Sequence, residues 1–454
     1  MNYFLPLFFG FASVAATAQD TTRLSLLFAG DIMGHDSQVA SAFDPDTKTY
    51  DYHSCFDFMR PYLESADIAI GNLELTLAGP PYKGYPQFSS PDALAVTLKQ
   101  VGFDVLVTAN NHSVDRGKNG IQRTINVLDS LGIPHTGTFV DEVSRLNDYP
   151  MVITRNGFTL ALLNYTYGTN GIPVPRPGMV NLIDTTLIRA DIQKAKQIDP
   201  DAIIAFLHWG NEYESLPAKT QTQLAEFCLA EGANLVIGSH PHVLQPMEWR
   251  KETDQLVVYS LGNFVSGQRK QYTDGGSMAY VELMKIRHRP DSVVTLIDSA
   301  GYFLHWVYRT ADADKDYFIM PVSRVEEDPA SFIKDGSSIL AFRQFVNDSR
   351  QLYGEHNLNV SEIRSVPPDS VVLYRIHIDI SQAYADTTGQ SAEILLQDYD
   401  FFGTERVSEE QEGSVLAVGN FRDRSRAERL CAQLIEKGGQ AKVVRYLNGS
   451  RIRE

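Results

Sequence analysis

The sequence predicts an α/β fold in which a sheet is covered by helices, followed by a small α+β domain. Runs that are apolar on both faces alternate with helical stretches from residue 23 to residue 309, as in an α/β or layered α/β/α domain. After Pro367-Pro368 apolar and polar residues alternate, which predicts a half-buried strand and a domain boundary. The main apolar runs of the first domain are 24–29, 67–70, 105–108, 202–207 and 235–237.

Each of these apolar runs stops at small or polar residues. The endings are Gly30-Asp31, Gly71-Asn72-Leu73-Glu74, Ala109-Asn110-Asn111-His112, His208-Trp209-Gly210 and Gly238-Ser239-His240-Pro241-His242. Ligands of helix-covered sheets collect beyond the carboxyl ends of the strands. We therefore expect one rim to carry Asp31, Glu74, Asn111, His112, His208, His240 and His242.

The chemistry of that rim suits a transition metal. Carboxylate, amide oxygen and imidazole together favour a divalent ion such as Zn²⁺, Mn²⁺ or Fe²⁺. Two such ions about 3.5–4 Å apart would bind a phosphate ester, and a histidine that is not a ligand would protonate the leaving oxygen. Asn111 and His112 suit this division of roles, with the amide on the metal and the imidazole on the substrate. The alternative is that these residues are ordinary turn formers, helix caps and core histidines.

Two helices and one loop complete the pattern around the rim. Apolar residues at helical spacing predict helices over 120–131 and 187–198, the first ending near Gly132. The stretch 167–177 is rich in glycine and proline, which predicts a surface loop that covers the site.

Length, charge and cysteine content limit the functional classes. A chain of 454 residues is too long for one core and predicts two or more domains. Its formal net charge of −16 argues against sequence-independent binding of nucleic acid by the whole chain. The three cysteines lie far apart, so they predict neither a metal-ligand spacing nor a disulfide framework, and Cys228 is expected in a helix core.

Residues 1–18 predict a signal peptide. A short apolar stretch is followed by Ala16-Thr17-Ala18, which suits a signal-peptidase site, although a buried N-terminal strand is the alternative. No apolar stretch elsewhere reaches the roughly 18 residues that a membrane helix needs. The sequence therefore predicts an exported protein of the periplasm or cell envelope without a transmembrane anchor.

The C-terminal part has its own pattern. We expect residues 310–368 to form a helical linker region with a helix over 338–353, and residues 369–454 to form a separate domain. In that domain the sequence predicts strands over 372–380 and 414–418 and a turn at Gly419-Asn420. A capping box at Ser425-Arg426-Ala427-Glu428 predicts a helix that ends at Gly438-Gly439, and Asn448-Gly449 predicts a final hairpin.

Six motifs in order resemble the bacterial capsule-synthesis CapA (poly-γ-glutamate capsule) family over about residues 24–270. They are Gly30-Asp31-Ile32-Met33, Gly71-Asn72-Leu73-Glu74, Ala109-Asn110-Asn111-His112-Ser113 with Asp115 and Gly117, His208-Trp209-Gly210-Asn211-Glu212-Tyr213, Gly238-Ser239-His240-Pro241-His242-Val243-Leu244-Gln245 and Tyr259-Ser260-Leu261-Gly262-Asn263-Phe264. The resemblance implies a calcineurin-like metallophosphatase fold, a β-sandwich flanked by helices with a dinuclear site on its rim. It implies one or two divalent ions on Asp31, Glu74, Asn111, His208, His240 and His242, with His112 as the catalytic residue and Asn72 and Glu212 as further site candidates.

The chain departs from metallophosphatases at two motifs. Those enzymes usually open with Asp-x-His, whereas Asp31 is followed by Ile32-Met33 and the nearest histidine is His35. Their second motif is Gly-Asp-x-x-Asp, where this chain has Asn72 and Glu74.

The C-terminal domain resembles a SPOR domain, which has a ferredoxin-like fold and binds peptidoglycan glycan strands. The similar residues are Val418-Gly419-Asn420-Phe421, Ala427-Glu428, Leu434, Gly438 and Val443-Val444, with Tyr374-Arg375-Ile376 as the first strand. The resemblance implies that peptidoglycan contacts Tyr374, Arg375, His377 and Phe421. The alternative is a module that docks on another protein.

These observations together predict an exported protein of capsule or surface-polymer biosynthesis, tethered to peptidoglycan by the SPOR-like module. Its partner would be an anionic or surface polymer. One alternative is a metal-free component that binds or assembles the polymer, and another is a phosphoesterase of the cell envelope.

Overall fold

The computed structural model contains two helix-covered sheets and a C-terminal sheet. It describes residues 20–289, 292–311, 316–367, 372–379, 405–409, 413–421, 424–436, 440–447 and 450–451. The signal peptide expected at residues 1–18 lies outside this part of the chain. No helix of the described residues is long and apolar enough to span a membrane.

The first sheet has nine strands in the order β18-β17-β16-β1-β4-β5-β6, with β15 beside β1 and β19 beside β17. Strands β1, β4, β5 and β6 are parallel, while β16, β17 and β18 are antiparallel. Its strands are β1 (Asp20–Ile32), β4 (Ile68–Leu73), β5 (Val105–Val107), β6 (His135–Thr136), β15 (Asn263–Val265), β16 (Gly275–Arg289), β17 (Ser292–Arg309), β18 (Tyr317–Pro321) and β19 (Ser361–Glu362).

The second sheet has six strands in the order β13-β14-β12-β11-β9-β8. The four central strands are parallel, and β8 and β13 are antiparallel edge strands. Its strands are β8 (Met151–Arg155), β9 (Phe158–Thr166), β11 (Ala202–His208), β12 (Leu235–Ser239), β13 (Leu244–Arg250) and β14 (Gln255–Leu261). Two small pairs join β2 (Phe43–Asp44) to β3 (Thr49–Tyr50) and β7 (Thr138–Phe139) to β10 (Met179–Val180).

The helices of the sandwich domain are α1 (Asp36–Ser41), α2 (His53–Phe56), α3 (Arg60–Glu64), α4 (Asp92–Gln100), α5 (Gly117–Leu131), α6 (Glu142–Asp148), α7 (Thr185–Lys196), α8 (Lys219–Glu231), α9 (Val322–Val325) and α10 (Gly336–His356). Helix α5 begins three residues earlier than the sequence predicts and ends, as expected, at Gly132, whose φ is 61°. Helix α7 begins at Thr185 because the side chain of Asp184 accepts hydrogen bonds from two N–H groups of its first turn.

The two sheets pack face to face, and helices cover their outer faces. Phe28 of β1 lies with Phe206 of β11 and Ile237 of β12 in the apolar core between the sheets. Leu27 alternates to the outer face of the first sheet, where it packs with residues of α2, α3 and α4. Cys228 of α8 is buried on the outer face of the second sheet. The predicted layered sandwich flanked by helices is thus confirmed, and both faces of its strands are apolar because both are covered.

Residues 310–367 pack on the sandwich. Helix α10 is present where a helical linker region is expected, and its Phe342 and Phe345 belong to the core between the sheets. Strand β18 also extends the first sheet beyond β17. The sandwich domain of the structure therefore continues beyond residue 309.

The C-terminal residues form an antiparallel sheet in the order β21-β22-β20-β23-β24, with one described helix. Its elements are β20 (Val372–Asp379), β21 (Glu405–Glu409), β22 (Gly413–Phe421), α11 (Arg424–Glu436), β23 (Ala441–Leu447) and β24 (Ser450–Arg451).

Two of the turns expected in this sheet can be compared with its strands. The final hairpin pairs β23 with β24, as predicted. The turn predicted at Gly419-Asn420 is wrong, because β22 continues through both residues to Phe421, which pairs with Tyr374. The helix stop expected at Gly438-Gly439 and the turn residues Asn448-Gly449 lie outside the described residues.

Candidate metal centre

The carboxyl ends of strands from both sheets meet at one rim of the sandwich. Asp31 near the end of β1 lies opposite Asn72 of β4, and His208 at the end of β11 lies opposite Ser239 of β12. Glu74 directly follows β4. The strands are parallel in these pairs, so their polar endings fall at the same edge, as the sequence predicts.

The turn after β12 brings two histidines to this rim. His240 and His242 have φ values of 101° and 59°, in the left-handed region that side chains other than glycine seldom adopt. At Gly238 a Cβ atom would lie 2.1 Å from the carbonyl oxygen of Tyr259, so only glycine permits this close approach. Such local strain is typical of functional sites.

The rim residues form two overlapping groups of potential ligands that share Glu74. Glu74, His240 and His242 offer ligand atoms within 4.8 Å of one another, and so do Asp31, Glu74 and His208. All five are buried. The structure thus brings together every carboxylate and imidazole that the sequence predicts as a metal ligand.

Asp31 is held by its neighbours. Its Oδ1 accepts a hydrogen bond from Asn72 Nδ2 at 2.8 Å, and its Oδ2 accepts one from the backbone N–H of His240 at 3.2 Å. His242 Nδ1 lies 3.2 Å from Oδ2. Burial acts to raise the pKa of Asp31, but the hydrogen bond and the charge of His242 outweigh burial and hold the pKa below its usual value.

Glu74 has the opposite surroundings. Both of its carboxylate oxygens are buried without a hydrogen-bond partner among the described residues. Oε1 lies 3.5 Å from His208 Nε2 and 3.9 Å from His242 Nε2. Burial, followed by the nearby charge of Asp31, raises the pKa of Glu74 well above its usual value.

Burial favours the neutral forms of His208 and His240. His208 Nδ1 lies 2.9 Å from Ser239 Oγ, and His242 Nδ1 lies 3.0 Å from Asn263 Oδ1. Burial, followed by the charge of His242, lowers the pKa of His240 to about 3. Burial, followed by the charge of His240, lowers the pKa of His208 well below its usual value. Neutral imidazole is the form that binds metal.

The two amide candidates differ in their contacts. Asn111 Oδ1 lies 2.8 Å from His208 Nε2, the nitrogen that also faces Glu74. Asn72 donates to Asp31, and its own Oδ1 accepts a hydrogen bond from Asn110 at 3.2 Å. Asn111 therefore lies among the potential ligands, whereas Asn72 orients Asp31.

His112 is paired with a buried carboxylate. Its Nδ1 lies 2.7 Å from Asp115 Oδ2, which also accepts the backbone N–H of Phe88 at 2.7 Å. The ring of Phe88 packs edge-on against His112 at 4.6 Å between centroids. The carboxylate favours the tautomer that carries a proton on Nδ1, so Nε2 is the nitrogen left for exchange with a substrate.

The loop predicted to cover the site does contact it. The ring of Tyr167 lies 4.5 Å from the ring of His240 and 6.4 Å from that of His208. Its hydroxyl is 3.3 Å from Asn170 Oδ1, which accepts a hydrogen bond from Asn111 Nδ2 at 3.2 Å. Tyr167 is 47% exposed and therefore faces both the site and solvent.

Glu212 and His35 also belong to neither ligand group. Glu212 is exposed. His35 is bound through Nδ1 to the loop after β15, where the backbone N–H of Gly267 donates to it at 3.1 Å.

No orienting role was predicted from sequence for three residues that stand in the quoted motifs: Asp115 beside His112, Ser239 beside His208 and Asn263 beside His242. The spacing of three residues between His112 and Asp115 is a signal that was available in the sequence. The contacts of Ser239 and Asn263 depend on how strands from two sheets and their loops come together, which spacing does not reveal.

The C-terminal candidates lie on the described sheet. Tyr374 pairs through its backbone with Phe421 and Arg445. His377 is 1% exposed, and its Nε2 lies 2.7 Å from Tyr446 Oη. The guanidinium of Arg375 lies 5.3 Å from the centroid of the Tyr446 ring. His377 is therefore not an exposed residue of an open sheet face.

The sandwich site fits a divalent metal ion. Glu74 Oε1 and Oε2 and His240 Nδ1 are buried polar atoms without partners among the described residues, and burying such atoms is costly unless something binds them. The donor set of carboxylates, imidazoles and an amide suits Zn²⁺, Mn²⁺ or Fe²⁺.

Comparison with solved structures finds distant likenesses. NAD nucleotidase of Haemophilus influenzae is 13% identical with a TM-score of 0.38, covering 73% of this chain and 61% of that chain. A hypothetical protein from Thermus thermophilus is 14% identical with a TM-score of 0.33, covering 60% of this chain and 98% of that chain. These TM-scores are too low to support an argument about function.

Comparison of sequences gives a clear family. "Capsule biosynthesis protein CapA" of Bacillus anthracis is 30% identical over 268 residues, which are 55% of this chain and 61% of that protein. "PGA biosynthesis protein CapA" of Bacillus subtilis (strain 168) is 30% identical over 273 residues, 58% of this chain and 68% of that protein. The family described as bacterial capsule synthesis protein PGA_cap matches residues 25–268. The chain therefore belongs to the PGA_cap family of bacterial capsule synthesis proteins.

Proposed function

We propose that the chain is an exported protein of capsule or surface-polymer biosynthesis whose sandwich domain is a metal-dependent hydrolase of phosphate esters. The observation that carries this proposal is the carboxylate of Glu74, buried without a hydrogen-bond partner among the described residues where three histidines and Asp31 converge. The names of the two Bacillus relatives, which refer to capsule and PGA biosynthesis, support the role in polymer synthesis.

The proposed ligands are Asp31, Glu74, Asn111, His208, His240 and His242, with Glu74 common to both groups. When bound there, a divalent ion supplies Lewis-acid activation of a phosphoryl oxygen. Asn72 holds Asp31 in place through its 2.8 Å hydrogen bond, and Asn263 and Ser239 orient the histidines.

His112 is the proposed proton donor to the leaving oxygen. Asp115 holds its Nδ1 at 2.7 Å, so the ring presents Nε2 to the substrate. General acid catalysis of this kind contributes about 10²–10⁴-fold to a rate.

The test combines metal analysis with an assay of one variant. Wild-type protein prepared without chelator and supplied with Mn²⁺ or Zn²⁺ should retain metal after desalting and should hydrolyse a phosphomonoester or phosphodiester. His112→Asn should keep the metal and lose at least about 100-fold in rate, because only the proton donor is removed. Absence of metal in the wild-type protein would contradict the hydrolase and favour the metal-free polymer-binding component.

The C-terminal module is proposed to attach the protein to peptidoglycan. Its antiparallel sheet and helix α11 support the SPOR-like module, with Tyr374, Arg375 and Phe421 as the proposed contacts. The full chain should sediment with purified sacculi and with amidase-treated glycan, whereas a chain that ends at residue 367 should stay in solution. If both chains stay in solution, the module docks on something other than peptidoglycan.

A further inference from the structure

His35 is a histidine of the rim that the proposed chemistry does not use. Its Nδ1 accepts a hydrogen bond from the backbone N–H of Gly267 at 3.1 Å and lies 3.2 Å from Gln38 Oε1. The neutral tautomer in which Nδ1 accepts from Gly267 carries its proton on Nε2. No described residue forms a hydrogen bond with His35 Nε2, and this atom is not among the buried atoms that lack a partner.

The ring of His35 is held rigidly. A Cβ atom on Gly267 would lie 2.6 Å from His35 Cβ, and one on Gly84 would lie 2.9 Å from His35 Cα, so two backbone segments pack directly on this residue. Phe88 contacts the ring edge-on at 5.2 Å and contacts His112 with a centroid distance of 4.6 Å. His35 and His112 are thus packed against the same phenylalanine.

Arg269 is a permanent cation whose charge acts on His35. Burial is the main cause that lowers the pKa of His35 to about 4, whereas the hydrogen bond with Gln38 acts to raise it and the charge of Arg269 acts to lower it. A neutral donor in such a setting favours an anion as its partner. Asp36, the next acidic residue along the chain, is paired with Lys83 at 2.9 Å and with the backbone N–H of Gly84 at 2.7 Å.

We infer that His35 contacts the substrate, donating a hydrogen bond from Nε2 to an anionic oxygen group at the metal centre, and that it is not a metal ligand. This inference rests on the proposed function, since it assigns a substrate contact to the same site. His35 differs from the proposed metal ligands in two respects. Its Nδ1 is hydrogen-bonded to the backbone of Gly267, and it belongs to neither ligand group. Phosphate and carboxylate share the chemistry that such a donor recognises.

Two variants separate the roles of the two ring nitrogens. The Oδ1 atom of the side chain in His35→Asn replaces Nδ1 as acceptor for Gly267, but nothing replaces Nε2–H. The amide of His35→Gln reaches as far as Nε2 and restores a donor there. His53→Asn is the matched control, because His53 lies at the surface beside Asp51 and Gln100.

The experiment measures binding of inorganic phosphate and of glutarate to the metal-loaded full chain by calorimetry. His35→Asn should keep the metal content and melting temperature of the wild type and should weaken binding of at least one probe about tenfold or more, as expected for a lost bond to a charged group. His35→Gln should regain much of that loss, and His53→Asn should bind as wild type. The probe that is affected identifies phosphate or carboxylate as the group recognised.

Four results would overturn the inference. Loss of metal in His35→Asn would make His35 a ligand. Unchanged affinity for both probes, or no binding of either probe by metal-loaded wild-type protein, would remove the substrate contact. If wild-type protein binds no metal, both this inference and the proposed function are overturned. Metal analysis reveals this outcome before any probe is added.

Discussion

Two buried polar clusters of the sandwich domain differ in whether their hydrogen bonds are complete. In the first, around Arg145, the guanidinium binds Asp191 and Asn181 at 2.6 Å each, and Tyr165 Oη donates to Asp191 at 2.8 Å. None of the buried side-chain atoms of these described residues lacks a partner. In the second, around Glu74, two carboxylate oxygens and one imidazole nitrogen have none within the described part of the chain.

This difference separates a structural role from a functional one. A complete network lowers the cost of burying charge and stabilises one arrangement of the chain. An incomplete one is tolerated when a ligand supplies the missing partner. A missing hydrogen-bond partner alone does not identify a functional site, however. His305 Nδ1 is also buried without a hydrogen-bond partner among the described residues, yet His305 belongs to neither ligand group.

The largest expected effect follows replacement of His240 and His242 by alanine. Bound metal should fall to background, because the group built on Glu74 loses both of its imidazoles and Asp31 loses its contact with His242, while the far-ultraviolet circular dichroism should stay unchanged. Addition of Mn²⁺ or Zn²⁺ should raise the unfolding free energy of the wild type, by about 2.7 kcal/mol at 100 times Kd, and leave that of the variant unchanged. His53→Ala is the control, and stoichiometric metal in the double variant would refute the assignment.

Mutation of the complete cluster around Arg145 should lower the stability of the protein without changing its metal content. Arg145→Ala leaves Asp191, whose side chain is 8% exposed, without its cation, so the unfolding free energy should fall by about 4 kcal/mol while metal content stays at the wild-type level. Arg145→Met combined with Asp191→Leu removes both charges and should recover much of the loss. Chemical denaturation measures both, and a loss of metal in Arg145→Ala would erase the distinction between the clusters.

His305 gives a prediction for pH. Burial lowers its pKa to about 4, whereas the unfolded chain takes up the proton near pH 6.5. The unfolding free energy should therefore fall as the pH drops from about 6.5 to about 4, and His305 should account for roughly 3 kcal/mol of this fall. His305→Gln keeps a donor to the carbonyl oxygen of Asn263 and does not titrate, so its stability curve should be flatter in this window. Parallel curves for the two proteins would contradict the prediction.

The smallest effect is expected at Tyr165. Tyr165→Phe removes one hydrogen bond to the Asp191 carboxylate, so the unfolding free energy should fall by about 2 kcal/mol with no change in metal content. Tyr165→Leu is a harsher comparison that also removes ring packing. An unchanged midpoint of denaturation for Tyr165→Phe would mean that the network is not as complete as its distances indicate.

Much of the fold and of the site could be predicted because parallel strands end at one edge. The rule that polar residues after parallel strands share one edge predicted a common site without any knowledge of side-chain contacts. The residues concerned are Asp31, Glu74, His208, His240 and His242. The rule was less useful for Glu212, which is exposed on the loop after β11 and belongs to neither ligand group. Strand β18 was missed because a run of five buried residues carries no signal of which sheet it joins.

Contacts between residues far apart in sequence were the hardest part. Asn263 reaches His242 because β15 pairs with β1, where Gly30 allows the carbonyl of Gly262 to approach. This pairing brings residue 263 to residue 31 across more than half of the domain. Local pattern predicts the strands themselves, but not the register that results from packing two sheets.

The proposed ligands come from strands and loops of both sheets. This affects the stage of folding at which the centre can form. Its carboxylates come early in the chain, at positions 31 and 74, and its last histidine comes at position 242. Contacts of such sequence separation form late in folding. A nascent or unfolded chain therefore has no assembled centre, and an ion bound there would be taken up only once the domain has folded.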